Sequence, residues 1–285
     1  MTVKIGIIGG SGLSKMGIIE NIEEVTVETP FGKPSDAISL GTIKGVQVAF
    51  LPRHGRHHSI APHMVNNQAN IFALKNAGVE YVVSLAAVGS LKKHMKPGDF
   101  VIVQQLIDRT AKRRTTFFEQ GIVAHVGFAD PVCPLLSDLA FKYVKKEGID
   151  VHRGTYLCME GPQFSTRAES QLYRSWNVDI IGMTLAPEAK LAREAGMCLC
   201  SICAISDYDC WHDEEDDVCV SSLVETLKKN SVHTANLLTH LVPAITYKRT
   251  CDCKTALQQA IITSPDLVKN PSNPIDREVL RKLLK

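Results

Sequence analysis

Short apolar runs alternate along this chain with stretches whose apolar residues recur every three to four positions, and this alternation constrains the fold more than any other feature. The runs lie near Lys4–Ile8, Val46–Leu51, Tyr81–Val88, Phe100–Val103, Thr155–Met159 and Cys198–Ile205, and they read as strands. Between them Val65–Ala77, Leu135–Glu147, Arg167–Ser175, Ala186–Ala195 and Val220–Leu241 have helical spacing near 3.6 with plausible caps. The alternation predicts an α/β fold, with Gly121–Pro134 as a loop and no linker, repeat or low-complexity tract before Pro243. Beyond Pro243, two short amphipathic segments, Lys254–Ile262 and Pro274–Leu284, flank Ser264-Pro265 and Asn270-Pro271-Ser272-Asn273. The 285 residues, 45% of them hydrophobic, supply ample core for one domain.

The run Cys198–Ile205 ends in Ser206-Asp207-Tyr208-Asp209, with two carboxylates two residues apart. On a strand that spacing puts both on one face. Such a pair suits a substrate that takes a proton at one atom and donates a hydrogen bond from its neighbour, as adenine does at N7 and N6. Ordinary loop acids are the alternative, since Asp213–Asp217 continues as an acidic run.

Leu51-Pro52-Arg53-His54-Gly55-Arg56-His57-His58 crowds cationic and titratable side chains into a turn after the second strand. Arginine grips phosphate oxygens in pairs, histidine donates near neutral pH, and Gly55 permits close backbone approach, so the turn suits an anion. A metal on His54, His57 and His58 is disfavoured by the neighbouring arginines and the lack of a nearby acid, while a solvated basic loop stays open. The glycine turn Gly9-Gly10-Ser11-Gly12 after the first strand offers backbone N–H groups and the Ser11 hydroxyl to an anion. Its spacing is not G-x-G-x-x-G, and no βαβ unit clearly follows, which argues against a dinucleotide; a ligand-free tight turn stays open.

These segments resemble one family when taken with Thr29-Pro30-Phe31-Gly32-Lys33-Pro34-Ser35-Asp36, Gly89-Ser90-Leu91, Met159-Glu160-Gly161-Pro162-Gln163-Phe164-Ser165-Thr166 and Gly182-Met183-Thr184-Leu185-Ala186-Pro187-Glu188. The collinear resemblance, over roughly Val3–Pro243, is to the trimeric branch of the purine nucleoside phosphorylases, and within it to the 5'-methylthioadenosine phosphorylases. It implies a single-domain nucleoside phosphorylase-like fold over 1–245, with a central mixed twisted β-sheet flanked by helices. The short helices of the tail, 246–285, are expected to pack on the same domain. The implied reaction is phosphate attack on C1' of methylthioadenosine, releasing adenine and 5-methylthioribose 1-phosphate with no metal or organic cofactor. A purine nucleoside or methylthioinosine phosphorylase of broader specificity is the alternative.

Carried over by position, the resemblance implies a phosphate site of Ser11, Arg53, His54, the backbone around Ala86 and Ala87, and Thr184. Members commonly carry a hydroxyl residue where this chain has Ala86, so one phosphate hydrogen bond is expected to be missing. The implied base site has Phe164 stacking on the purine, Ser165 close by, and Asp207 and Asp209 on the polar edge, with Asp207 as the acid. The sugar is expected against Met183. Its methylthio group is expected against His58, Val220 and a neighbouring subunit's His125, in a homotrimer or a dimer of trimers.

The net charge of +2 carries no basic stripe, and the cluster Arg109–Arg114 is short and lacks interleaved aromatics, so nucleic acid is not an expected partner. No apolar run reaches the roughly 18 residues a membrane span needs, and Met1-Thr2-Val3-Lys4 runs directly into structure without a signal peptide, so a cytoplasmic protein is expected. Of nine cysteines, Cys198, Cys200 and Cys203 belong to one apolar strand, where Cys acts as a small hydrophobe. Cys251-Asp252-Cys253 resembles a Cys-x-Cys found near the C-terminus of some disulfide-bearing members, leaving a disulfide or reduced thiols open.

Overall fold

The structure, a computed structural model, describes residues 3–10, 17–118, 121–212, 220–245 and 249–284, with the backbone alone at 220–223. Its strands are β1 (Ile5–Gly9), β2 (Glu20–Val25), β3 (Ile38–Ile43), β4 (Val46–Pro52), β5 (Tyr81–Ser90), β6 (Phe100–Arg109), β7 (Val151–Met159), β8 (Ile180–Gly182) and β9 (Cys198–Asp207). The helices are α1 (Asn67–Asn76), α2 (Pro134–Lys146), α3 (Arg167–Ser175), α4 (Leu185–Glu194), α5 (Val220–Ala244), α6 (Pro265–Lys269) and α7 (Pro274–Leu283).

Local chemistry explains several boundaries. The Thr166 side chain accepts from Glu169 N while Glu169 reaches back to the Thr166 backbone, a capping box that starts α3 where the sequence places it. Asn66 caps α1 by accepting from Ala69 N, and Pro134 opens α2 at a position where its missing N–H costs nothing. From Cys198 to Ser206, β9 is buried at every residue, which explains why it reads as one apolar run without alternation.

The strands form one mixed sheet in the order β2-β3-β4-β1-β5-β8-β7-β6-β9, with helices on its faces, as the family resemblance implies. An additional β5–β9 pairing, parallel from Tyr81 against Cys198 to Gly89 against Asp207, closes β5, β8, β7, β6 and β9 into a ring. One core cluster joins α1 and α4 to the sheet through Ile71, Phe72, Leu185 and Ala189; another joins α2 and α5 through Leu136, Val144, Leu237 and Leu241. Leu257, Val279, Leu280 and Leu283, all beyond Pro243, are buried in the first cluster, and Cys253 in the second.

The sequence reading misses β2, β3 and the three-residue β8. The acid-rich β2 is almost wholly exposed and pairs only with β3, so no apolar pattern marks it. The amphipathic helix expected at Lys254–Ile262 is instead a 3-10 turn at Asp252–Thr255 followed by turns, and Ile261 bridges to Ala124. Its apolar residues are spent on that bridge and on Leu257 in the core. None of the described cysteines, Cys251 and Cys253 among them, is in a disulfide. No helix among the described residues is long and apolar enough to cross a membrane.

Candidate active site

The strand ends around β5 and β9 surround a cavity of about 470 Å³. Arg53, His54 and His58 reach it from the turn after β4, Ala86 and Ala87 from β5, and Met183 and Thr184 from the β8–α4 junction. Asp207, Asp209 and Phe164 complete the sequence-derived residues that line it. Phe164 is 48% exposed, a large apolar ring left uncovered at a cavity wall.

The two acids do not share a strand face. Asp207 is the last residue of β9, and Asp209 lies beyond it at φ 53, so a left-handed turn brings it back toward the strand end. Asp209 N donates to Asp207 Oδ1 at 2.8 Å, and Ser206 Oγ donates to Asp207 Oδ2 at 2.5 Å. Gly89 makes room for both: a Cβ there would lie 2.9 Å from Asp207 Oδ1 and 3.4 Å from Asp209 Cβ. Burial raises the pKa of Asp207, the hydrogen bonds from Ser206 and Asp209 N work against it, and the Asp209 charge adds to the rise. Burial raises Asp209 as well, opposed by the hydroxyls of Ser170 and Ser165 beside it. Asp209 Oδ2 is nevertheless buried without a hydrogen bond of good geometry. Ser165 itself is near Asp209 but does not line the cavity.

Across the cavity Arg53 is almost completely buried and pre-set. Its Nε and Nη2 meet the two oxygens of Glu188, Nη2 at 3.1 Å, while Nη1 donates to Leu85 O at 3.0 Å and Nη2 to Ser84 Oγ at 2.9 Å. Although burial alone would favour loss of its proton, the Glu188 carboxylate holds the guanidinium pKa above its ordinary value. A planar fork fixed on one side presents its remaining donor in one direction. Glu188 and Ser84 are functional partners that the sequence reading does not single out. Thr184 stands at the N-cap of α4, where the positive helix end favours an anion, and its N–H donates to Tyr156 Oη at 3.3 Å.

The basic turn divides in two. Arg56 leaves the cavity for the surface, where Nη2 pairs with Asp36 at 2.7 Å and Glu24 at 3.0 Å, so it adds nothing to an anion site. His54 is not the cationic donor expected near neutral pH: burial first, then Arg53, lowers its pKa to about 4. Its Nδ1 is 2.8 Å from Ile60 O, which assigns the proton to Nδ1 and leaves Nε2 as an acceptor. His58 packs against His54 with ring centroids 4.6 Å apart and the rings tilted by 31°.

Within the basic cluster Arg109–Arg114 one side chain turns inward. Arg113 is buried and donates to Glu160 Oε1 at 2.8 Å, Glu160 O at 2.6 Å and Met183 O at 3.2 Å, fixing the Met159–Glu160 turn and the Met183 backbone beside the cavity. Helix α5 adds Leu227, Asn230 and Thr234 to the wall, none of them visible as site residues in an amphipathic pattern. His125 is exposed and does not line this cavity; its N–H donates to Ala260 O at 2.8 Å. Ser11 and the Val220 side chain lie outside the described residues.

A family model described as the phosphorylase superfamily matches residues 4–243. An S-methyl-5'-thioadenosine phosphorylase of Koribacter versatilis is 51% identical, covering 94% of this chain and 92% of its own. A second, from Pyrococcus horikoshii, is 48% identical over 91% of this chain and 99% of its own. Among solved structures, a methylthioadenosine phosphorylase from an antarctic soil metagenomic library superposes with a TM-score of 0.93 at 44% identity, covering 100% of this chain and 99% of the other. Another from Schistosoma mansoni, solved in complex with adenine, gives 0.86 at 35% identity, covering 93% and 100%. The fold, the strand-end cavity with its two acids and buried arginine, and this agreement along nearly the whole length establish that the chain belongs to the phosphorylase superfamily.

Proposed function

We propose that this chain cleaves S-methyl-5'-thioadenosine with inorganic phosphate, giving adenine and 5-methylthioribose 1-phosphate. The observation that carries the reading is the placement of two acids of raised pKa, the half-buried Asp207 and the buried Asp209, and a buried, Glu188-held arginine on one cavity. As the glycosidic bond lengthens, the sugar becomes oxocarbenium-like and the purine anionic. A proton at N7 and an anion beneath C1' then both lower the barrier. Asp207 supplies the proton, because burial keeps a carboxyl protonated at higher pH than an exposed one. Asp209, which lines the cavity, accepts from the 6-amino group. Phe164 stacks on the base, with Ser165 helping to orient Asp209.

Phosphate lies against Arg53, Thr184, Ser11 and the backbone around Ala86 and Ala87. Neutral His54 accepts there, on Nε2, a hydrogen bond donated by a protonated phosphate oxygen. The sugar rests on Met183, and His58, Val220 and a neighbouring subunit's His125 enclose the methylthio group. On this reading the enzyme is a cytoplasmic homotrimer or dimer of trimers, with phosphate as co-substrate, no resident cofactor in the reaction, and neither nucleic acid nor membrane as partner. Residues 1–245 form the phosphorylase domain and 246–285 a tail packed on it.

Incubation with methylthioadenosine, methylthioinosine, adenosine and inosine, each with and without phosphate, tests the proposal by chromatography of the free base. Phosphate-dependent adenine release fastest from methylthioadenosine is expected. Inosine cleaved fastest would replace it with a general nucleoside phosphorylase.

A further inference from the structure

Four cysteines from separate parts of the chain converge beside the end of the molecule opposite the acids. Cys133 precedes α2, Cys198 opens β9, and Cys251 and Cys253 lead into and occupy the 3-10 turn of the tail. Their sulfurs all lie within 4.8 Å of one another, with Cys133 to Cys251 at 3.7 Å and Cys198 to Cys251 at 3.4 Å. Four thiolates about 2.3 Å from one zinc ion occupy a tetrahedron whose edges are about 3.8 Å. The observed spacing is close to that tetrahedron.

Cys200 shares the same apolar core cluster but is not one of the converging sulfurs. Here each sulfur faces three others. The surroundings also carry positive charge: Arg193 Nη1 lies 3.7 Å from Cys253 Sγ, and the Arg249 guanidinium lies beside Cys198. Cys133 occupies the N-cap of α2, the positive end of a thirteen-residue helix. Cations and a helix N-terminus gain little from neutral thiols, but they complement a zinc tetrathiolate of net charge −2. Three of the cysteines are buried and Cys251 is half-buried, which leaves one side for entry.

We propose that Cys133, Cys198, Cys251 and Cys253 hold one zinc ion as a tetrathiolate that ties the tail to α2 and β9. On binding, four thiols release their protons to solvent and four Zn–S bonds form, with no change of oxidation state. The ion takes no part in phosphorolysis and does not depend on that reading. Beyond the site, the tail holds the loop before α2: Ile262 N donates to Val123 O at 3.0 Å and His125 N to Ala260 O at 2.8 Å.

The test is elemental analysis of the full chain purified with its thiols reduced, followed by cobalt substitution. About one zinc per chain that survives dialysis is expected, and cobalt in its place should show the intense visible absorption and thiolate charge transfer of a tetrahedral tetrathiolate. The double variant C251S/C253S should lose the zinc. Arg193→Gln, which leaves all four ligands in place, should weaken zinc binding by roughly 10–100-fold. With chelator present, the unfolded, unreduced wild type should titrate all nine thiols. Zinc absent from folded, reduced protein supplied with it, zinc retained by the double variant, iron in its place, or fewer than nine thiols from disulfide pairing would each overturn the proposal.

Discussion

Glu188 holds Arg53 across 135 residues of sequence, accepting Nη2 on Oε2 at 3.1 Å while the same oxygen takes Ser84 Oγ at 2.6 Å. Both side chains are almost fully buried, so neither charge has water to fall back on. Removing one partner of such a pair strands the other, at a cost of about 3–5 kcal/mol. Glu188→Ala should therefore lower stability by that order in urea unfolding. The milder Glu188→Gln should mainly raise the KM for phosphate, because Arg53 is then charged but no longer aimed. An unchanged phosphate KM in Glu188→Gln would show that Arg53 needs no such hold.

Asp207 gives a prediction with a defined sign. A carboxyl whose folded pKa is raised favours the folded state when protonated. That contribution is complete below the unfolded value near 3.8 and is lost as pH rises through the raised folded value. Asp207→Asn should cut kcat by about 10²–10⁴-fold, the usual worth of a positioned acid. Its urea midpoint should also decline less than that of the wild type as pH rises from acid toward neutrality. Wild-type kcat should fall with rising pH on the limb that Asp207→Asn lacks.

His54 acts in the opposite direction. Its value falls from 6.5 to about 4, so its contribution to folding is present above 6.5 and is lost as pH drops toward 4. His54→Asn should flatten that part of the acid stability profile. The imidazole resonances of wild-type His54 should show the neutral form throughout the neutral range; a titration near 6.5 would contradict the burial argument.

Ala86 faces the cavity from β5, one residue beyond the Leu85 carbonyl that Arg53 engages. Ala86→Ser adds a hydroxyl worth about 0.5–1.5 kcal/mol if phosphate uses it. The phosphate KM should fall by up to roughly tenfold, with the nucleoside KM little changed.

Gly182 is fixed by Tyr156 rather than by backbone conformation. A Cβ at residue 182 would lie 2.1 Å from the Tyr156 hydroxyl, which is enclosed in the core and accepts from Thr184 N. Gly182→Ala should cost about 1–3 kcal/mol by overpacking and raise the phosphate KM by displacing Thr184. Denaturation midpoints and phosphate saturation measure the two effects separately.

Asp207 was legible in the sequence because an apolar run ended abruptly in acids, and Arg53 because a strand ran into a basic turn. Such local contrasts survive folding. The position of Asp209 was named for the wrong geometric reason, since two-residue strand spacing gives no hint of a left-handed turn. Arg56 looked like Arg53 in sequence, and only the hairpin that brings Glu24 and Asp36 to it separates them. Glu188, Ser84 and Asn230 were invisible because their roles depend on partners far along the chain. The tail was misread where its apolar residues serve a bridge and a core contact instead of a helix face.

The ring of strands carries a consequence for synthesis on the ribosome. β5 emerges early, yet its partner β9, which brings Asp207, begins only at Cys198, and their pairing closes a loop of more than a hundred residues. An emerging chain halted before β9 can pair β1 with β4 and β5, but it holds Arg53 with no acid opposite. Catalytic competence therefore arrives late, so a product of translation interrupted before β9 is inert rather than partly active.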